Sequence, residues 1–251
     1  MPVEIDGFKG GDRTHIELPA VQRNFLRALK EAGKTVIFVN CSGSCIALQP
    51  ETETCDAIVQ AWYPGQEGGT AVADVLFGDY NPTGKLPVTF SKTSSQLPDY
   101  EDYSMRGRTY RYFNDALFPF GYGLSYTQFE IDEVNVNRGN PSQYAKEAQP
   151  VFEIAADVRN VGNRDGGFVL QVYVRNLQDP DGPLKSLRAF YKVPSIKADN
   201  KPCHIVTGLT RQSFEFWDPE TNTMRVKPGK YEILVGTSSN DQDLEKFEVT
   251  L

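Results

Sequence analysis

Few side chains in this 251-residue chain have types and spacings that do chemistry, and the first candidates lie in the stretch GFKGGDR, Gly7–Arg13. A glycine-rich loop ahead of a helix can present backbone N–H groups to an anion. The phosphate fingerprint does not fit, because Lys9 precedes the paired Gly10 and Gly11, and no strand precedes Gly7 as a dinucleotide fold requires. Cys41, Cys45, Cys55 and Cys203 lack the paired spacing of a zinc site, and the two histidines, His15 and His204, do not complete one. Free thiols or a disulfide are the readings left to them. Ser42 and Ser44, in NCSGSC, lack the G-x-S-x-G elbow that a hydrolase serine needs. His15 has no acid or nucleophile near it in the sequence and reads as a surface or capping residue. Trp62 and Tyr63 can stack on a sugar ring or pack in a core.

Bulk properties narrow the partners. A net charge of −7 without a Lys/Arg cluster argues against nucleic acid and against an anionic membrane surface. No apolar run approaches the roughly 20 residues that span a bilayer, and the N-terminus shows no signal peptide. An apolar share of 39% suits ordinary cores, and the length allows two domains.

The elements that must position these residues change character along the chain. Val21, Phe25, Leu26 and Leu29 share a helical face after Pro19, with Gly33 as the stop. TVIFVN, residues 35–40, reads as a strand buried on both faces. CDAIVQAW (55–62) reads as a second strand, TAVADVLF (70–77) as a helix closed by Gly78, and KLPVTF (85–90) as a third strand. Residues 91–126 are rich in Ser, Pro, Tyr and Gly and read as a long wrapping segment. From residue 127 the pattern is period-two alternation broken by turn pairs such as DPDGP, which predicts about seven or eight strands in a sandwich of immunoglobulin or fibronectin type. The fold class is therefore an α/β domain, residues 1–126, followed by an all-β sandwich, residues 127–251.

The run AWYPGQEGGTAVADVLFGDYNPTGKLPVTF, with LFPFGYGLSYTQFE after it, resembles the C-terminal part of glycoside hydrolase family 3, the β-glucosidases and β-xylosidases. VRNVGNRDGGFVLQVYV, GPLKSLRAF and PGKYEILVG resemble the fibronectin type III-like domain that many members append. The likeness covers nearly the whole chain. It implies a truncated α/β sandwich domain lacking its first strands, and a missing N-terminal (β/α)8 barrel whose aspartate is the nucleophile. No word like SDW and no Lys-His pair is present.

The same resemblance implies retaining hydrolysis of a terminal β-linked glucose or xylose, with a glutamate of the second domain as acid and then base. That glutamate precedes a Gly-Asp-Arg word, matched here by Gly11, Asp12 and Arg13. Glu4 is the candidate within the chain, with Asp6 beside it, yet the family spacing places the glutamate upstream of Met1, and a solvated carboxylate is the rival reading of Glu4. Asp12 and Arg13 either hold a sugar hydroxyl or order the loop. Tyr103 and Tyr110 are candidate sugar contacts or anchors of a domain interface, and the latter reading predicts an exposed apolar patch. The implied partners are a β-linked oligosaccharide or glycoside and the barrel, or a barrel-bearing chain, with no metal and no organic cofactor. The implied location is periplasmic or extracellular. By itself the chain is expected to be inactive. The alternative is a non-catalytic carbohydrate-binding or domain-scaffolding module, for which Trp217 is the only tryptophan after residue 126.

Overall fold

In the computed structural model, which describes residues 14–139 and 150–251, Pro19 leads into helix α1, Ala20–Glu31. Its last carbonyls are closed by Ala32 N–H to Ala28 O at 3.0 Å and Lys34 N–H to Leu29 O at 3.1 Å, a turn made possible by Gly33 at φ +71°. Leu26 is buried, but Val21 is 81% and Phe25 63% exposed. The apolar stripe read from the sequence is thus only half covered.

Strand β1 is Ile37–Asn40 and β2 is Ala57–Gln60; they pair in parallel, with Ile37 opposite Ala57. Between them lies α2, Gln49–Thr54, which propensity did not announce. Pro50 opens it, and its Glu51 is 1% exposed and held by Arg23 Nε at 2.7 Å. Both strands are shorter than the apolar runs implied, and Ile37 is exposed, so β1 is not buried on both faces by the described residues. Helix α3, Gly68–Phe77, ends at Gly78 with φ +85°.

The expected third strand, residues 85–90, does not form. Pro87 removes a ladder donor, and the two ends of the segment bond separately: Leu86 exchanges hydrogen bonds with Tyr122 and Gly121 (2.8 Å each), while Phe90 bonds Phe118 and Leu117. This split coincides with a division of the chain into two compact units. The first takes the described residues up to Tyr80, then Val88–Thr109 and Phe113–Pro119; the second takes Asn81–Pro87, Tyr110–Tyr112 and Phe120–Leu251.

The second unit is the sandwich the alternation predicts. Strands β3 (Phe129–Arg138), β4 (Pro150–Asn160) and β7 (Pro202–Thr210) form one antiparallel sheet in the order β3-β4-β7. Strands β5 (Gly166–Asn176), β6 (Ser186–Ile196), β10 (Lys230–Gly236) and β11 (Leu244–Thr250) form the other, in the order β11-β10-β5-β6. A small hairpin, β8 (Phe216–Asp218) with β9 (Thr223–Arg225), lies outside both. Ile154, Val158, Leu170, Val172, Ile205 and Ile233 fill the space between the sheets.

Strand β5 departs from simple alternation because its outer face is also buried. Tyr173 and Leu234 pack there with Tyr110 and Phe120, and Tyr110 stacks on Phe120 at 4.4 Å between ring centroids. Gln171 donates to Gly121 O at 3.0 Å and to Thr237 O at 2.5 Å, and accepts from Tyr173 Oη at 2.6 Å. Gly121 has φ +82°, and a Cβ there would stand 2.0 Å from Gln171 Oε1, so only glycine fits.

Candidate functional site

In parallel sheets the carboxyl ends of the strands are where backbone and loop groups converge on a ligand. Here β1 ends in Asn40 and β2 in Gln60. Asn40 Nδ2 donates to Gln60 Oε1 at 2.6 Å and to Ser42 Oγ at 3.0 Å, and Gln60 Nε2 donates to Ser42 O at 3.3 Å. Ser42 Oγ in turn donates to Ser44 O at 2.9 Å. Ser42 is therefore a member of an amide network.

Immediately after β2 the chain turns sharply. Trp62 adopts φ +57°, a conformation costly for a bulky residue and worth a functional account. Its indole meets the buried Phe90 edge-on at 6.2 Å, which fixes the turn. The turn throws Tyr63 outward, 78% exposed, with its ring laid against Gly43; a Cβ on Gly43 would stand 2.4 Å from Tyr63 Cε2. An exposed ring beside a set of neutral amide and hydroxyl groups suits a sugar, which offers apolar C–H faces and hydroxyls together.

The segment that follows Arg13 is tied down within the same unit. Ala47 N–H donates to Ile16 O at 2.9 Å, Ile16 N–H to Ser94 Oγ at 3.0 Å, and Ser94 N–H to Glu17 Oε1 at 2.8 Å. Partial burial pushes the Glu17 carboxyl up, but the hydroxyl and N–H of Ser94 outweigh it and hold the group below its ordinary value. Every carboxyl among the described residues whose pKa moves does so downward: Glu17, Asp56, Asp102, Asp132, Asp165, Asp199, Asp218 and Asp241. A general acid at neutral pH needs the opposite shift.

Of the residues singled out from the sequence, Glu4, Asp12 and Arg13 lie outside the described residues. Tyr103 is 90% exposed in the first unit. Tyr110 belongs to the second, where its ring stacks on Phe120 and its hydroxyl accepts from Leu187 N–H at 3.0 Å. The structure does not group these two tyrosines in one unit. Trp217 is half-exposed on β8, opposite Met224. The Asn40–Ser42–Gln60 network escaped the sequence reading, since amides carry no spacing signal of their own. Among the described residues no cluster of His, Cys, Asp and Glu is arranged to hold a metal.

An α/β unit built on a parallel strand pair and a seven-stranded antiparallel sandwich define a two-part chain of mixed architecture. Residues 3–126 match the glycosyl hydrolase family 3 C-terminal domain, and residues 168–239 match the fibronectin type III-like domain. The chain belongs to glycosyl hydrolase family 3, through that C-terminal domain and the fibronectin type III-like domain after it. It is 67% identical over all 251 residues to a xylan 1,4-β-xylosidase of Xylanibacter ruminicola, and 34% identical over 255 aligned positions to a periplasmic β-glucosidase of Salmonella typhimurium, taking in 96% of the chain. It spans only 28% of the former and 32% of the latter. Among solved structures it is similar to a β-glucosidase of Listeria innocua bound to isofagomine (TM-score 0.77, 27% identity, 97% of this chain and 35% of that one). It is also similar to a β-D-glucoside glucohydrolase of Trichoderma reesei (TM-score 0.80, 27% identity, 97% and 37%).

Proposed function

We propose that this chain is the C-terminal part of an enzyme that removes terminal β-linked xylose, or glucose, with retention of configuration. The observation that carries the reading is the 67% identity, along every residue of the chain, to a protein named as a xylan 1,4-β-xylosidase. In this reading an aspartate on the N-terminal barrel attacks the anomeric carbon as a glutamate protonates the departing oxygen. The same glutamate then takes a proton from the water that releases the sugar.

This chain's share is positional. The segment that ends in Asp12 and Arg13 carries or adjoins the proton donor, with Glu4 as its carboxylate within the chain, and the bonds at Ile16 and Glu17 tie down the residues that follow it. Tyr63 and the Asn40–Ser42–Gln60 edge form a wall of the sugar site, and Tyr103 is exposed enough to reach a ligand. The exposed Val21 and Phe25 of α1 support an N-terminal partner domain, since exposed apolar patches mark missing interfaces. We place the boundary between the family domains at residues 126 and 127. Export to the periplasm or beyond is supported by the relative named as periplasmic, and no described helix is long and apolar enough to cross a membrane.

The test is hydrolysis of aryl β-xyloside and aryl β-glucoside by the purified chain, alone and with the separately produced barrel of a relative. No turnover alone, with xyloside hydrolysis restored on mixing, supports the reading. Turnover by the chain alone that Glu4→Gln abolishes overturns the assignment of the nucleophile to the barrel.

A further inference from the structure

The hairpin of β8 and β9 lies outside both sheets of the sandwich, and its two faces differ. Side chains alternate across a strand, so Phe216 and Asp218 share one face of β8 and Trp217 takes the other. Phe216 belongs to the core between the sheets, where its ring lies 6.2 Å from that of Tyr231. The Asp218 side chain is fully buried, and its carboxylate pairs with Lys227 Nζ at 2.9 Å and with Arg225 Nε at 3.0 Å. Thr221 Oγ1 donates to the same carboxylate at 2.9 Å, beside Asn222 at φ +55°. The hairpin is therefore pinned from beneath.

Its outer face is bare. Trp217 stands directly opposite Met224 in the ladder, the two being 52% and 50% exposed, and the Cβ atoms of such a pair lie about 5 Å apart. Among the described residues, no other large apolar side chain between positions 211 and 230 is exposed. Glu215, Glu220, Arg225 and Lys227 flank this ledge in the sequence with charges of both signs.

Size limits what the ledge can hold. Two half-exposed side chains, one of them a large aromatic, offer on the order of 200 Å², whereas a stable protein interface takes about 800 Å² from each partner. Alone, the ledge is too small for a second copy or a partner domain. It does match a pyranose ring, whose C–H face stacks on an indole while its hydroxyls stay toward the polar rim and water. A rim of mixed sign favours a neutral ligand over an ion. A ring carried on a pinned hairpin also loses little freedom on binding.

We propose that Trp217 and Met224 form a non-catalytic binding ledge for a neutral β-linked polysaccharide. The choice of xylan as that polymer rests on the reading of the chain as part of a xylosidase.

The experiment is native electrophoresis of the full chain through gels containing soluble xylan, with dextran, an α-linked glucan, as the control polymer. Retardation by xylan, absent in dextran, is expected. Trp217→Ala weakens binding roughly tenfold or more, as loss of a stacked ring does, while Trp217→Phe keeps part of it. Met224→Glu, which sets a charge against the ring, acts likewise and decides the matter if Trp217→Ala does not fold. No retardation, equal retardation in dextran, or retardation that Trp217→Ala and Met224→Glu leave unchanged overturns the proposal. Retardation removed by Tyr63→Ala alone also overturns it, and assigns the polymer to the edge at β1 and β2. Retardation needs no turnover, so failure of an added barrel to restore hydrolysis counts against the glycosidase reading and leaves a Trp217-dependent retardation in support of the ledge.

Discussion

Tyr110 and Phe120 stack at 4.4 Å over Tyr173, which meets Tyr110 edge-on at 5.8 Å. Two residues from the wrapping segment thereby close the outer face of β5. Truncating this lid at its centre, Tyr110→Ala, is expected to cost about 3–5 kcal/mol, the usual range for a large aromatic, through lost burial and a cavity over Tyr173. Tyr110→Phe keeps the stack and loses the bond from Leu187 N–H, a hydrogen bond worth about 1 kcal/mol. Urea midpoints of both variants check this; equal effects would show that the ring contributes nothing.

A piece beginning at residue 127 is expected to be far less stable than one beginning at Asn81. The shorter piece bares Tyr173 and Leu234 and leaves Gln171 without its Gly121 acceptor. Equal melting temperatures for the two pieces contradict this account.

Arg23→Met leaves Glu51 buried without its counter-ion. Losing one partner of such a pair costs about 3–5 kcal/mol, and the double change Arg23→Met with Glu51→Leu is expected to recover most of it. A double-mutant cycle by chemical denaturation measures the recovery.

Acid should loosen the segment that holds the proposed catalytic loop. Because Ser94 holds the folded Glu17 carboxyl below its ordinary 4.5, the unfolded chain binds the extra proton. The stabilisation is therefore present above pH 4.5 and is lost as pH falls below that value through the folded pKa. Ser94→Ala is expected to flatten this loss. Hydrogen exchange at Ile16 and Ala47 as a function of pH reports it directly.

Val21→Ser with Phe25→Ser is expected to change stability by less than about 1 kcal/mol, as exposed positions do. The same pair should reduce binding of a hydrophobic dye and abolish restoration of activity by an added barrel. Undiminished restoration shows that α1 is not the surface the partner covers.

How much of this was legible depended on where each residue's neighbours lie. The sandwich strands announced themselves because each alternates against its own sheet: β4 buries every second residue from Phe152 to Asn160. Strand β5 does not alternate, because its second face is closed by Tyr110 and Phe120, far away in sequence, and periodicity carries no record of that. KLPVTF has a strand's composition, yet Pro87 and a change of unit after it leave no ladder to join. Helix α2 is a proline and five polar residues, tied to α1 through Arg23 and Glu51, a tertiary effect. Tyr63 was visible as an aromatic near a loop; its outward throw follows from the left-handed turn at Trp62, which only coordinates reveal.

The chain passes between its two units after Tyr80, Pro87, Thr109, Tyr112 and Pro119. Such interleaving works against modular exchange in evolution. A recombination event at residue 127 would transplant the fibronectin-like sheets without Asn81–Pro87 and the aromatic lid, so the α/β and sandwich portions are expected to be inherited as one block. Limited proteolysis has a matching signature: a nick in the wrapping segment leaves Asn81–Pro87 of the first fragment seated in the second unit, and the two fragments should co-elute until denatured.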